Sequence, residues 1–390
     1  MPAKDIAPRF DLSAGERALL EQAEAIAASH APVDGESMSQ AALRGIFRAL
    51  QPTGYLGSVL PPEAGGKGLS PLAFAALVEG LAPDLTLLGN HSVQRYLHSF
   101  GSATQCRRFM PGLLSGDDVG AIAITEAQAG SDLARIETVA RRVGDRYVLN
   151  GRKTWVTHGM VASSFIVLAR TGDAKDQFTR FIVPGDSQGL QRHKQKPVGL
   201  THLSFAHLEF HDCEVEAELR LGEEGQGLKG AKEAFPTARA LAALQALRVG
   251  RAALALASDF ARARVVGSQS LADSSLVQHG YSDLSLRCEA TRLLCFKVAA
   301  DLTAPDATAM ASAVKAAAGD LALDACRWAS DCMGSAGLGA DNRLVRLHND
   351  ARMMSVVDGT SVLNHLVAAR RSIARRSSDQ GSVDAGMPPP

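Results

Sequence analysis

Thr125-Glu126-Ala127-Gln128-Ala129-Gly130-Ser131-Asp132 follows a short apolar run, AIAI at 121–124, and turns it with small and polar residues. Small residues let a backbone approach a ligand closely. Hydroxyls and exposed N–H groups in such a turn can hold a polar one. Further on, Asn150-Gly151 reads as a hairpin signal. It leads into Lys153-Thr154-Trp155-Val156-Thr157-His158-Gly159. Strand alternation puts Trp155 and Thr157 on one face, with Lys153 beside them. An indole and a hydroxyl on one face can cover and bond a flat ligand. A packing role for Trp155 at a strand edge is the other reading of the same spacing.

Around this core the chain falls into zones. From 119 to 225 the segments are short, alternating and β-branched, among them SFIVLARTG, TRFIVPG and HLSFAHLEFHDCEV, and Gly, Asp and Asn part them. They predict a small antiparallel β domain. Before it, 1–118 reads as an N-terminal helical domain. GERALLEQAEAIAASHA and SQAALRGIFRALQ carry apolar residues three and four apart. LPPEAGGKGLS breaks the pattern, and SPLAFAALVEGLA resumes it behind a serine cap. After it, 226–376 sustains helical spacing in four long stretches, which predicts a four-helix-bundle-like C-terminal domain. The segment 377–390 is rich in Ser, Gly, Asp and Pro and reads as a disordered tail. The fold class is α+β, in helix–β–helix order.

Composition excludes some functions. Lys plus Arg and Asp plus Glu number 41 each among 390 residues, so no net charge draws the chain to nucleic acid or an anionic membrane. Six cysteines, at 106, 213, 288, 295, 326 and 332, form no Cys-x-x-Cys pair. The first residues lack the apolar core of a signal peptide, and no apolar run reads as long enough to span a bilayer. A cytoplasmic location with reduced thiols is expected. His158, His279 and His365 lack zinc-site spacing and read as structural or surface residues, so no metal is expected.

TEAQAGSD, NGRKTWVT (150–157) and a distant Asp358-Gly359-Thr360, in this order, resemble the acyl-CoA dehydrogenase flavoproteins. That family carries Thr-Glu-x-x-x-Gly-Ser-Asp, Asn-Gly-x-Lys-x-Trp-Ile-Thr and Glu-Gly-Thr. The likeness runs from PPEAGGKG to ARRSI, most of the chain. It implies bound FAD, with Ile124, Thr125, Trp155 and Thr157 lining the flavin and Thr157 near its N5 edge. Ser131 would touch the thioester tail of the substrate. Arg264 would reach the FAD pyrophosphate across a subunit interface, where planar donors pair two oxygens at once. Gly334 and Gly337 would form the turn near the adenine. Thr360 would cap a helix whose N–H groups favour a cofactor oxygen. Arg239 would contact the pantetheine or nucleotide end of the substrate. The residues alone also read more plainly: a solvated helix arginine, a helix stop and a surface salt bridge. The resemblance further implies an acyl thioester substrate on CoA or a phosphopantetheine carrier protein, an electron-transferring flavoprotein or oxygen as acceptor, a homotetramer, and a place in fatty acid metabolism.

In SVVDGTSVL (355–363), Asp358 is a lone acid in an apolar run. An unpaired buried charge is costly, so this acid is either solvated in a turn or placed to move a proton. The resemblance puts it where the family's glutamate takes the α-proton while a hydride leaves the β-carbon for flavin N5. Aspartate is one methylene shorter. The helix position from which some members supply the base is Ala238 here, so Asp358 has no rival. Pro236, Gly267, Ser275 and Asn349-Asp350 depart from the family pattern and weaken the expected nucleotide contacts. A substrate tethered to a carrier protein needs fewer of them. Two other readings stand beside this one. Nitroalkane-oxidising relatives also use an aspartate base, but His365 sits where they carry arginine. A non-catalytic flavin or acyl-binding scaffold is the other.

Overall fold

A computed structural model describes residues 12–384 apart from 34, 59, 173–176 and 230, with side chains of 231–234, 372 and 374–384 excluded. The chain parts into two compact units, one of Ala14–Lys232 and the other of the described residues before Ala14 together with those from Glu233 onward.

The first unit opens with helices α1 (Ala14–Ser29), α2 (Gln40–Leu50), α3 (Pro71–Leu81), α4 (Asn90–Phe100) and α5 (Ala103–Ser115). Their starts are written in the sequence. Ser70 Oγ accepts the Ala73 N–H at 3.1 Å, and Pro71 fills the first helical position, where no N–H is needed. Ser102 and Gln105 form a reciprocal capping box on α5. Helix α3 is buried on nearly every side. At Gly80 its backbone meets α1, since a Cβ there would lie 2.4 Å from Leu20 O.

Strands β1 (Gly120–Ala123), β2 (Val139–Val143), β3 (Arg146–Val156), β4 (Ser164–Arg170), β5 (Phe178–Pro184), β6 (Leu190–Lys194), β7 (Ala206–Glu216) and β8 (Arg220–Leu221) make one sheet. Its order is β6-β7-β3-β2-β4-β5-β8, with β1 paired to β4. Most pairs are antiparallel, but β1 and β2 meet β4 in parallel, so the sheet is mixed. The sign of this is that GAIA and SFIVLAR are apolar almost throughout rather than alternating. The hairpin expected at Asn150-Gly151 is also corrected. Those residues lie inside β3, and the turn from β2 to β3 falls at Gly144-Asp145. Gly151 marks a register shift against β7, with φ 144°. A Cβ on it would lie 2.6 Å from Thr138 Cα, so the close approach requires glycine. The Asn150 amide exchanges bonds with Asp212, donating to its carboxylate and accepting its N–H.

The second unit is helical: α6 (Ala231–Ala263), α7 (Ser275–Ala300), α8 (Ala307–Met333), α9 (Arg343–Met354) and α10 (Ser361–Asp384), with a small hairpin, β9 (Val265–Val266) and β10 (Gln269–Ser270), after α6. Small residues bring the helices close. A Cβ on Gly250 of α6 would sit 3.0 Å from Ala322 Cα of α8. Two expectations are corrected. Phe235–Ala263 is long and apolar enough to cross a membrane, but it is mostly buried inside the protein, as the core helix of a bundle is. Helix α10 continues to Asp384, so 377–384 is helical, while 385–390 lies outside the described residues. Extending a formed helix costs far less than starting one, and the prolines that would stop it begin only at Pro388.

Candidate active site

The TEAQAGSD turn is built around a buried acid. Glu126 and Ala129 exchange backbone bonds of 3.0 and 3.1 Å, which closes the turn. The Glu126 carboxylate accepts from Glu137 N at 2.7 Å, Thr138 N at 3.0 Å, Thr138 Oγ1 at 2.5 Å and Gln128 Nε2 at 2.7 Å. It also pairs with Lys153 Nζ at 2.7 Å, the two side chains being 3% and 0% exposed. Burial alone would raise the Glu126 pKa; Lys153 and the hydrogen-bond donors outweigh it and hold the carboxyl below its usual range. Burial pushes Lys153 down to about 8 against the pull of Glu126.

The same ammonium donates to Ile124 O at 3.0 Å, and Thr154 N donates to Thr125 O at 2.8 Å. The two residues expected to line a flavin are therefore fixed by β3 through their own carbonyls. Glu126 and Lys153 supply this support, and the sequence reading assigned neither a role in it. Their signal was the pairing of one charged residue in each motif.

Alternation fails at the end of β3. The register shifts between Lys153 and Val156, and Trp155 takes a left-handed φ of 56°. Lys153, Thr154 and Val156 are buried, while Trp155 is 46% exposed. The expected shared face of Lys153, Trp155 and Thr157 is thus broken by a bulge that turns the indole outward. Its ring rests edge-on against Phe205, centroids 5.8 Å apart. Thr157 follows, half-buried in a turn. His158, also left-handed at φ 58°, is buried, and burial with help from His202 pushes its pKa down to about 3, so the imidazole is neutral. Strained backbone of this kind clusters at functional sites. Ser131 is exposed at the tip of its turn, and Asp132 caps the short helical turn after it through a 3.2 Å bond from Ala134 N.

In the second unit, Asp358 sits half-buried in the turn between α9 and α10 with φ 54°. The turn rests on α8. A Cβ on Gly319 would lie 3.2 Å from Ser355 Cα. Arg239 Nε donates to Asp358 O at 3.3 Å and its Nη1 to Ser312 Oγ at 2.9 Å. Burial lowers the Arg239 pKa, and the Asp358 charge opposes that shift. Asn364 Nδ2 donates to Gly359 O at 2.8 Å. Lys315 Nζ donates to Ser355 O and Gly359 O, each at 3.2 Å. Thr360 caps α10, its Oγ1 accepting Leu363 N at 3.2 Å. The acid that looked lone therefore has two buried cations behind it. Sequence reasoning reached Arg239, but as a substrate contact; the structure gives its guanidinium partners in the protein. It missed Lys315, whose only mark is a lysine in an alanine-rich helix.

The other expected residues lie apart from this turn. Arg264 is exposed just beyond the end of α6, its backbone N–H bonded to Phe260 O. Gly334, at φ 55°, ends α8. Gly337 is buried, and a Cβ there would press on Leu344 and Met333 at 3.1 and 3.2 Å.

Known proteins resemble the chain over most of its length. Acyl-CoA dehydrogenase N-terminal, middle and C-terminal domain models match residues 13–117, 121–213 and 225–373. The chain is 33% identical to the human mitochondrial short-chain specific acyl-CoA dehydrogenase, over 81% of this chain and 79% of that one. It is 33% identical to a benzylmalonyl-CoA dehydrogenase of Aromatoleum aromaticum, over 93% and 98%. The solved butyryl-CoA dehydrogenase of Megasphaera elsdenii superposes with a TM-score of 0.85 at 26% identity, covering 94% of this chain and 100% of that one. With three matched domains in order along nearly the whole chain, this protein is an enzyme of the acyl-CoA dehydrogenase family of oxidoreductases.

Proposed function

We propose that the chain is an FAD-dependent α,β-dehydrogenase of acyl thioesters in which Asp358 removes the α-proton. The observation that carries this reading is the construction of the Asp358 turn. Three buried side chains, Arg239, Lys315 and Asn364, bond its backbone carbonyls, and each bond fixes where the carboxylate starts. A short base must be placed well, because an error of about 1 Å can cost roughly a hundredfold in rate.

The residues of the first unit fit FAD. A half-exposed indole on a strained bulge and a turn pinned by buried Lys153 offer a flat surface and fixed polar groups. When bound, FAD supplies the two-electron acceptor for a hydride that leaves the β-carbon. Ile124, Thr125, Trp155 and Thr157 hold the flavin and keep water from it. Arg264, Gly334, Gly337 and Thr360 serve its pyrophosphate and adenine end, and Ser131 meets the thioester arm. The acyl group arrives on CoA or on a phosphopantetheine carrier protein. The departures at Pro236, Gly267 and Ser275 favour a substrate with few nucleotide contacts. An electron-transferring flavoprotein or oxygen takes the electrons, in a cytoplasmic homotetramer.

Anaerobic titration of the purified yellow protein with acyl-CoAs and acyl carrier proteins tests the reading through flavin absorbance. Bleaching by one thioester class is the expected result. Protein that stays colourless in added FAD, or a flavin that no thioester reduces, overturns it.

A further inference from the structure

We infer that Lys315 is a positioning residue for Asp358, its ammonium clamping the carbonyls of Ser355 and Gly359 at the two ends of the turn that carries the base. This rests on the role proposed above for Asp358. The geometry is local to α8. Ser312, Lys315 and Gly319 stand three and four residues apart and share one helix face. Gly319 leaves room for the turn to lie on the helix, Ser312 anchors Arg239, and Lys315 is wholly buried with Nζ 3.2 Å from both carbonyl oxygens. A buried ammonium is expensive, and an apolar side chain of similar volume often packs there at no loss of stability. Packing alone therefore does not call for lysine, whereas holding two carbonyls and facing a carboxylate does.

The charged groups that act on Lys315 come from the turn, from its own helix and from α6. They are Asp358 in the turn, Asp320 on α8 and Arg239 on α6, with the uncharged Asn364 amide of α10 sharing Gly359 O. Burial pushes Lys315 down to about 8; Asp358 and Asp320 work against that shift and Arg239 adds to it. Below that pH the clamp is charged. As pH rises through it, the ammonium loses its proton and both carbonyls lose a charge-assisted donor.

Hydrogen–deuterium exchange of the full chain, read by mass spectrometry, tests the clamp without any substrate. After correction for the intrinsic base-catalysed rate, the amides of 355–361 in the natural protein should exchange about tenfold faster at pH 9 than at pH 7, while those of α7 do not change. Lys315→Met should show the fast exchange at both pH values, and Lys315→Gln, which keeps a donor but no charge, should lose the pH dependence. Flavin reduction by an acyl thioester should slow about tenfold to a hundredfold in Lys315→Met. Exchange in 355–361 that is independent of pH in the natural protein, or unchanged in both variants, overturns the inference. If Lys315→Met does not fold, the pH dependence of the natural protein still decides it. If no thioester reduces the flavin of any form, the functional reading falls while the exchange result still judges the clamp.

Discussion

Replacing Lys153 by methionine removes the cation from the Glu126 pair and keeps most of the side-chain volume. Both groups are buried, so water cannot take the place of the lost ammonium. Breaking a buried ion pair from one side costs about 3–5 kcal/mol. Glu126 keeps four other donors, from Glu137 N, Thr138 N, Thr138 Oγ1 and Gln128, which argues for the low end, about 3 kcal/mol. For a cooperative unit the size of Ala14–Lys232, roughly 2–4 °C of melting temperature accompanies each kcal/mol, so a fall of roughly 6–12 °C is expected. Ile124 O loses its donor as well, so bound flavin should drop further than the melting temperature alone would suggest. The assay is thermal unfolding by circular dichroism with flavin content measured in parallel. The double variant Glu126→Gln with Lys153→Met, which leaves no unpaired charge, should recover much of the loss. A Lys153→Met shift under about 2 °C, or a double variant worse than the single one, would refute the claim that this pair carries the turn.

Asp358→Asn should keep flavin and fold but slow thioester-driven flavin reduction by about 10²–10⁴, the usual worth of a general base; a drop under threefold in stopped-flow absorbance counts against that role. Gly359→Ala forces a side chain onto φ 101° with its Cβ 3.1 Å from Asn364 Nδ2, so the turn should shift and flavin reduction should fall while flavin content holds, as spectroscopy of the purified variant will tell. Glu126 is held below its ordinary value of 4.5, so it contributes stability that is present above that pH and lost as pH falls through its folded value. Glu126→Gln should therefore flatten the fall of melting temperature between pH 5 and pH 3, the pH range around that value, and a slope equal to that of the natural protein would contradict this.

The sequence showed the order of helices and strands because the period of apolar residues changes near 119 and again past 221. It showed the cap at Ser70 because capping needs only a hydroxyl at the right place, and the family resemblance pointed to the one at Thr360. It misled at Asn150-Gly151, where the dipeptide that makes a tight hairpin also suits a bulge; only the approach of Thr138 to Gly151 separates the two. It misled again at Lys153, Trp155 and Thr157, because alternation assumes an unbroken strand and one left-handed residue resets the faces. Lys315 was illegible for a different reason. Its partners are main-chain carbonyls brought up by a turn 40 to 44 residues away, and carbonyls have no letter in a sequence.

The choice of aspartate over the family's glutamate fits the backbone at that position. Asp358 holds φ 54°, a region that costs most side chains energy and that asparagine and aspartate enter several times more often than other residues. The turn cannot easily relax to a more ordinary angle. Gly319 brings Ser355 down onto α8, and Lys315, Arg239 and Asn364 each bond one or more of its carbonyls. A turn fixed this firmly gives a short side chain a definite starting point, and a definite start is what a short reach requires. The buried cations and the missing methylene thus belong to one arrangement. As the proposed base, Asp358 has less length with which to search, and the bonds from Lys315, Arg239 and Asn364 hold the backbone beneath it.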